Sequence, residues 1–170
     1  MFPGAEEAKA DMQACWQGDA EVHQWGLPDG HTAYVRVGEH EEKKIELNEV
    51  QTSTGNNATF TYRAKVFKPS SYGISLPANI IHSIDAWVVR ELRRRCKASG
   101  FDMIAVHDQF FCSPNHMQKM REHYLDIMIY IAESNMLEDI LSQILGYQIT
   151  YHKRSNDLAD AMRGAEYAIC

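Results

Sequence analysis

The segment from Phe101 to Cys112 places the tightest limit on how this chain can fold. An apolar run leads into His107-Asp108, and a second short apolar run leaves toward Pro114. Two such runs on either side of a polar pair predict a strand, a tight turn and a second strand. Asp108 is then expected at the tip of a hairpin, where its carboxylate suits a hard cation such as Mg²⁺ that takes oxygen ligands. A buried strand that merely ends in a polar turn is the alternative interpretation.

The balance of charge limits what the chain can bind by itself. Its 170 residues carry a formal net charge of −6 and are 45% hydrophobic, enough for the core of one domain or a large part of one. Free-standing nucleic-acid binders are usually basic, because phosphate neutralisation supplies most of their affinity. We therefore expect the chain alone to bind DNA poorly, with a basic channel lying mainly on a partner.

Cysteine spacing and hydropathy predict a cytoplasmic protein without a membrane segment. The cysteines at 15, 96, 112 and 170 lack Cys-x-x-Cys spacing, which favours free thiols in a reducing compartment. No run is long and apolar enough to span a bilayer, and the N-terminus lacks the basic-then-apolar order of a signal peptide.

The residue pattern divides the chain into three parts and predicts an α+β fold. Residues 1–30 predict a short helix and a turn at Pro28-Asp29-Gly30. Residues 31–68 alternate between apolar and polar positions, with a break at Gly55-Asn56-Asn57, and predict a long antiparallel β-ribbon. Residues 69–170 hold the hairpin at Asp108 among several helices.

The helix predicted before this hairpin, from Asn79 to Ser99, has two distinct faces. Its apolar stripe consists of Ile81, Ile84, Val88 and Leu92. Another face carries Arg90, Arg94 and Lys97. These cations are either a solvated surface or contacts to a nucleic-acid backbone, which cations along one helix can follow.

Three more elements are predicted after the hairpin. A helix capped by Asn115 extends to about Glu133, and a second begins at an Asn135-x-x-Glu138 capping box and ends at Gly146. A strand is predicted at Gln148–Tyr151, followed by a short helix at Asp157–Arg163.

Four motifs, in this order along the chain, resemble those of the single-subunit, phage-type RNA polymerases. The turn Trp25-Gly26-Leu27-Pro28-Asp29-Gly30 resembles the family's Trp-x-x-Pro-Asp-Gly turn. The family segment that leads into the helix before the last catalytic motif resembles Ser75-Leu76-Pro77-Ala78-Asn79-Ile80-Ile81-His82-Ser83-Ile84-Asp85-Ala86. The last catalytic motif itself resembles Ile104-Ala105-Val106-His107-Asp108-Gln109-Phe110. The C-terminus of the family resembles Glu166-Tyr167-Ala168-Ile169-Cys170. The resemblance implies the C-terminal third of such an enzyme, a portion of the palm and fingers of a right-hand polymerase.

This resemblance implies DNA-directed RNA synthesis and a role for several residues. Asp108 is expected to bind catalytic Mg²⁺, His107 to orient the hairpin tip or contact the primer end, and His82 to lie near the active centre and the nascent RNA. The ribbon corresponds to the hairpin that enters the promoter's major groove, which a two-stranded ribbon fits. The expected nucleic-acid contacts are Arg63, Lys65, Arg90, Arg94 and Lys97.

Several motifs of that family have no counterpart in this sequence. They are the other catalytic aspartate, the triphosphate-binding Arg and Lys, and the tyrosine near the incoming nucleotide. We therefore expect one subunit of a split enzyme or a fragment, inactive without a partner chain that carries those motifs. DNA template, nascent RNA and nucleoside triphosphates are the other expected partners, in the host cytoplasm if the enzyme is viral.

Gln109 departs from the pattern of the family. RNA polymerases of this type usually carry a small residue after His-Asp, and the related DNA polymerases carry Glu. Two alternatives therefore stay open: a fragment of a family-A-like DNA polymerase, or a non-catalytic structural or DNA-docking subunit.

Overall fold

The described residues form three sheets, all two-stranded and antiparallel, together with several helices. The computed structural model describes residues 3–36, 38–51, 54–55, 57–68, 73–153 and 155–165. Its elements, in chain order, are α1 (Pro3–Ala14), β1 (Val22–Gly26), β2 (Thr32–Arg36), β3 (Gly38–Gln51), β4 (Asn57–Phe67), α2 (Ser75–Ala98), β5 (Ile104–Val106), β6 (Gln109–Phe111), a 3₁₀ turn (Pro114–His116), α3 (Met117–Glu133), α4 (Met136–Leu145) and α5 (Leu158–Gly164). This mixture of helices and small antiparallel sheets confirms the α+β prediction.

Helix α2 lies at the centre of the core. Its buried apolar side chains are Leu76, Pro77, Ile80, Trp87, Val88, Leu92 and Cys96. The predicted stripe was wrong at its start, because Ile81 is 46% exposed whereas Ile80 is fully buried. Helix α2 begins at Ser75 rather than at Asn79, since proline is tolerated in the first turn of a helix. The extra turn adds Leu76 to the buried face, and the later stripe residues Val88 and Leu92 are buried as predicted.

The β1–β2 hairpin is fastened to two helices by hydrogen bonds. Trp25 is buried, and its Nε1–H donates to Oγ of Ser83 on α2 at 2.9 Å. The Gly26 N–H donates to Oε1 of Gln143 on α4 at 2.7 Å. Gly30 completes the predicted turn with a φ of 80°. The N-terminal segment is therefore joined directly to the helical core.

Strands β3 and β4 form the predicted ribbon. Their pairing runs from Gly38 opposite Phe67 to Leu47 opposite Ala58 and becomes irregular toward the tip. Strand β2 is separate from this ribbon because it pairs with β1. The charged segment Gly38–Lys44 is the first half of β3. Most described side chains on the ribbon are exposed, so it projects from the core.

Residues 148–151 have no regular secondary structure, so the strand predicted at Gln148–Tyr151 is wrong. The Ile149 N–H donates to Oγ of Ser142 at 3.1 Å. The Tyr151 N–H donates to Oε2 of Glu138 at 2.8 Å. These two side chains of α4 accept the hydrogen bonds that the backbone N–H groups would donate to a neighbouring strand if one were present.

Helix ends were predicted better than helix starts. Gly146 terminates α4 with a φ of 77°, as expected for a left-handed cap. The capping box is wrong, because Asn135 makes no side-chain cap bond. Helix α3 starts at Met117 after the 3₁₀ turn, so Asn115 does not cap it.

None of the helices in the described part of the chain has both the length and the apolar character needed to cross a bilayer. Cys15, Cys96 and Cys112 are free thiols. Cys170 and the C-terminal motif that contains it lie outside the described residues.

Candidate active site

The predicted hairpin is present, with His107 and Asp108 as its two-residue turn. Val106 pairs with Gln109 directly below the turn. His107 has a φ of 53° and is the only non-glycine residue with positive φ in the described ranges. A positive φ at the first turn position but not at the second is typical of a type II′ hairpin, where glycine is the usual residue. A histidine there costs roughly 1–2 kcal/mol of backbone strain, and such strain is often concentrated at functional sites.

The Asp108 side chain is open to solvent at the tip of this hairpin. Within the described residues its carboxylate has neither a hydrogen bond nor an ion pair, so its oxygens are available to an outside ligand. Asp108 lines an open cleft of about 400 Å³ whose walls include Leu92 of α2, Phe110 of β6 and Arg121 and Tyr124 of α3.

Among the described residues, the hairpin is anchored on one side only. Its strands have three residues each, too short to be stable without support. Phe110 packs against Tyr124 with ring centroids 5.6 Å apart. At the base, buried Phe101 stacks on His116 at a centroid distance of 4.6 Å. The opposite face of the hairpin carries Ile104, Val106 and Phe111, all exposed. The tip is therefore supported from α3 and open on its other side.

His82 lies on α2, exposed, in a different pocket from Asp108. This pocket has a volume of about 280 Å³ and is also lined by Trp25, His31 and Arg90. The structure thus brings His107 together with Asp108, and His82 together with Arg90. No hydrogen bond or ion pair between described residues joins the two groups.

Most cations predicted to contact nucleic acid have a partner within the chain. Nε of Arg90 donates to Oδ2 of Asp29 at 2.5 Å, and Nε of Arg94 to Oε2 of Glu91 at 2.7 Å. On the ribbon, Nε of Arg63 lies 3.4 Å from Oε1 of Glu42, and Nζ of Lys65 lies 5.4 Å from the centre of the Phe67 ring. Among these five cations, Lys97 alone lacks such a partner in the described part of the chain. Less positive charge is therefore available for phosphates than the sequence suggested.

These ion pairs also set the charge state of two acidic groups. The hydrogen bond from Arg90 holds the pKa of Asp29 below its usual value. The hydrogen bond from Arg94 likewise lowers the pKa of Glu91, against the opposing effect of burial, and Arg95 adds to it. Nη2 of Arg90 is buried without a partner among the described residues. Both acidic groups are thus stabilised in the charged form by the cations of α2.

The described residues do not form a complete metal site. No three His, Cys, Asp or Glu side chains come together there in a way that could hold a metal ion. Asp108 alone still fits Mg²⁺, which is often bound through one or two carboxylates, waters and substrate phosphates.

Sequence reasoning missed three features of this region. A two-residue turn between strands requires positive φ, so the strain at His107 had a signal in the sequence. The pairing of Asp29 with Arg90 had none, since the two residues are 61 positions apart. The apolar face of the ribbon was predicted, but its exposure at Phe60 and Tyr62 was not.

Comparison with known proteins identifies the family. The profile of the family described as DNA-dependent RNA polymerase matches residues 33–166. A comparison with curated proteins finds no match. Because the profile covers most of the chain, this protein belongs to the DNA-dependent RNA polymerase family.

The matched range includes the two more specific motifs, the His82 segment and the His107-Asp108 hairpin. The turn from Trp25 to Gly30 precedes it. The fold and the family together therefore define a polymerase-type α+β chain in which the His-Asp hairpin is part of the family-matched region.

Proposed function

We propose that this chain is the C-terminal portion of a phage-type RNA polymerase and supplies one metal-binding aspartate, Asp108, for template-directed nucleotidyl transfer. The observation that carries the proposal is the position of Asp108. It is the exposed, unpaired carboxylate at the tip of a strained two-residue turn, inside the range that matches the polymerase family. Glycine would adopt this turn with less backbone strain. A histidine at position 107 is therefore better explained by a chemical role than by its effect on stability.

The chemistry requires little more of this chain than positioning. Bound Mg²⁺ lowers the pKa of an attacking 3′-hydroxyl and stabilises the charge that develops during in-line displacement at phosphorus. Asp108 contributes one oxygen ligand and its negative charge. His107 fixes the direction of the turn and presents its imidazole beside the primer end. The packing of Phe110 on Tyr124 prevents the tip from shifting relative to α3.

The proposal includes a second polypeptide. Two-metal sites place their ions about 3.5–4 Å apart and need carboxylates from more than one chain segment. The second aspartate and the residues that grip the triphosphate come from a partner that carries the remaining motifs of the family. The exposed side of the hairpin, with Ile104 and Phe111, leaves room for such a chain. We accordingly expect no nucleotide addition by this chain alone.

The test is reconstitution with that partner, a primed DNA template and Mg²⁺. Asp108→Asn keeps the size of the side chain and removes its charge, and should reduce nucleotide addition by at least about a hundredfold while assembly is retained. Asp102→Asn is the matched control, because Asp102 is an exposed carboxylate near the base of the same hairpin. Its activity should equal that of the unsubstituted chain.

The outcomes separate the proposed function from its alternatives. Full activity of Asp108→Asn would contradict the catalytic assignment and leave a structural or DNA-docking subunit. Incorporation of deoxyribonucleotides in preference to ribonucleotides would favour a DNA polymerase fragment. The family match and the proposal both predict preference for ribonucleotides.

A further inference from the structure

His23 of β1 joins the N-terminal segment of the chain to the β1–β2 hairpin. The residue is buried, with 3% of its surface exposed. The N–H of Gln17, in the segment that follows α1, donates to Nε2 of His23 at 2.9 Å. The Trp16 ring stacks on the imidazole with centroids 4.0 Å apart. One histidine therefore holds the end of α1 against the hairpin through a hydrogen bond and a ring contact.

The hydrogen bond from Gln17 fixes the charge state of His23. A ring nitrogen accepts a hydrogen bond only when it is unprotonated, so the imidazole is neutral and Nδ1 carries its hydrogen. Nδ1 is buried and has no hydrogen-bond partner among the described residues. A second proton would place an N–H at Nε2 facing the N–H of Gln17, and it would bury a positive charge. The closed arrangement therefore accommodates only the neutral imidazole.

The ionisable groups near His23 do not compensate for such a charge. Burial is the main influence on His23 and lowers its pKa, whereas the exposed carboxylate of Asp19 raises it to a smaller extent. The residue opposite His23 on β2 is the uncharged Val35. On the α1 side, Cys15 stays a neutral thiol because burial raises its pKa, and Asp11 adds to that rise.

Trp16 extends this joint to the start of α2. A Cβ built on Gly73, just before α2, would lie 2.5 Å from Cβ of Trp16. Trp16 is thus in contact with both the His23 ring and the backbone that leads into α2. Neither Trp16 nor Gly73 titrates, so His23 is the group in these contacts whose charge can change at mildly acidic pH.

We propose that His23 is a proton-sensitive latch, which holds α1 and the segment after it on the β1–β2 hairpin while it is neutral and releases them when it is protonated. Release breaks the hydrogen bond from Gln17 and the stacking of Trp16. It also exposes Met12 and Cys15, the side chains that this part of the chain contributes to the core.

The pH range of release follows from the difference between the two states. In the released state the imidazole of His23 is hydrated and titrates at the ordinary value for histidine, about 6.5. In the closed state its pKa is lower, so opening takes up a proton. The closed state is therefore fully favoured above about pH 6.5 and becomes less stable as the pH falls below that value. This inference goes beyond the proposed function, because it involves neither Asp108 nor nucleotide addition.

The experiment measures thiol labelling of the full 170-residue chain by dithiodipyridine between about pH 8 and about pH 4.5, a range that brackets the titration of histidine. Peptide mapping by mass spectrometry assigns the label to each cysteine. Cys15, which is 8% exposed, reports release of the latch, and the fully buried Cys96 of α2 reports unfolding of the core. Each rate is divided by that of a short cysteine peptide at the same pH, which removes the effect of pH on the reagent.

Three variants test whether His23 is responsible. His23→Gln keeps an oxygen acceptor near the position of Nε2 and cannot be protonated. Asp19→Asn leaves the latch intact and removes the nearby charge that favours its protonation. His40→Gln is the matched control, because it removes an exposed histidine on the β3–β4 ribbon.

We expect the corrected labelling rate of Cys15 to rise by up to about tenfold for each pH unit below about 6.5, because opening takes up one proton. Cys96 should stay protected over the range in which Cys15 becomes reactive. His23→Gln should make the labelling of Cys15 independent of pH, whereas His40→Gln should keep the profile of the parent. Asp19→Asn should shift the rise to lower pH by a few tenths of a unit, as expected for the loss of an exposed charge.

Three results would overturn the inference: labelling of Cys15 that does not rise with acidity, Cys15 and Cys96 becoming reactive at the same pH, or a His23→Gln chain with the pH profile of the parent. An unshifted profile in Asp19→Asn would also contradict it, which keeps the test decisive if circular dichroism shows that His23→Gln is unfolded. Labelling needs neither a partner chain nor a metal, so its outcome is independent of whether Asp108 proves catalytic.

Discussion

Replacement of His107 by glycine should make the hairpin more stable and the reconstituted enzyme less active. The φ of 53° at His107 costs an L-residue roughly 1–2 kcal/mol, a cost that glycine does not have. Against this, glycine lowers the folding stability by about 0.5–1 kcal/mol because its unfolded state is more flexible. The imidazole makes no hydrogen bond or ring contact in the described part of the chain, so its removal sacrifices little. The balance favours glycine by about 0.5–1 kcal/mol.

Urea unfolding followed by circular dichroism measures this difference, and thermal unfolding should show a midpoint raised by about 1–4 °C for a chain of this size. Hydrogen exchange at the Val106 and Gln109 amides, which flank the turn, shows whether the gain is local to the hairpin. Nucleotide addition with the partner chain present should fall in the same variant, because the imidazole beside Asp108 is lost. His107→Asn, which tolerates positive φ, should keep the stability and also lose activity.

Gly100→Ala supplies the opposite control. Gly100 has a φ of 85°, and a Cβ added there meets no atom within 4 Å. Its substitution should therefore destabilise the chain by about 1–2 kcal/mol through backbone strain alone. If Gly100→Ala behaves in this way and His107→Gly is destabilising, His107 is held by stabilising contacts and the reasoning from strain is refuted.

Two further predictions concern the core. Hydrogen bonding to Arg94, and to a smaller extent Arg95, lowers the pKa of Glu91 in the folded state. Glu91 therefore stabilises the fold at pH values above its unfolded pKa. This stabilisation is lost as the pH falls through the lower pKa of the folded state. Glu91→Gln should therefore cost about 1 kcal/mol at pH 7 and almost nothing near pH 3 in urea titrations, and a constant difference at both pH values would contradict the assignment. Gly73→Ala should destabilise the joint between α1 and α2 by about 1–3 kcal/mol, because the new Cβ would lie 2.5 Å from Cβ of Trp16. Thermal unfolding measures this loss, and a variant as stable as the parent would show that the two helices separate easily.

The hairpin was predictable because its signal is local. Two apolar runs around His107-Asp108 leave one short loop, and the structure has that loop at the expected place. The start of α2 was not predictable in the same way, because Pro77 is compatible with either a linker or a first helical turn. That uncertainty left Leu76 out of the predicted buried face.

Features that depend on distant residues were out of reach of the sequence pattern. Glu138 has the spacing of a capping residue, yet in the fold its carboxylate accepts the N–H of Tyr151, which follows in a later segment. The alternation of β4 predicted which side chains share a face but not whether that face is covered, and Phe60 is exposed. The roles of His82 and of the five cations stay predictions that binding experiments must test.

The tie between Trp25 and Ser83 has a practical consequence for any shortened version of this protein. The family-matched range starts at residue 33, so trimming to that boundary would appear harmless. It would remove the buried Trp25 indole, which donates to Ser83 of α2, and it would remove the Gly26 N–H that donates to Gln143. The family-matched range therefore begins after residues that contact the helical core, and expression limits are better set upstream of β1.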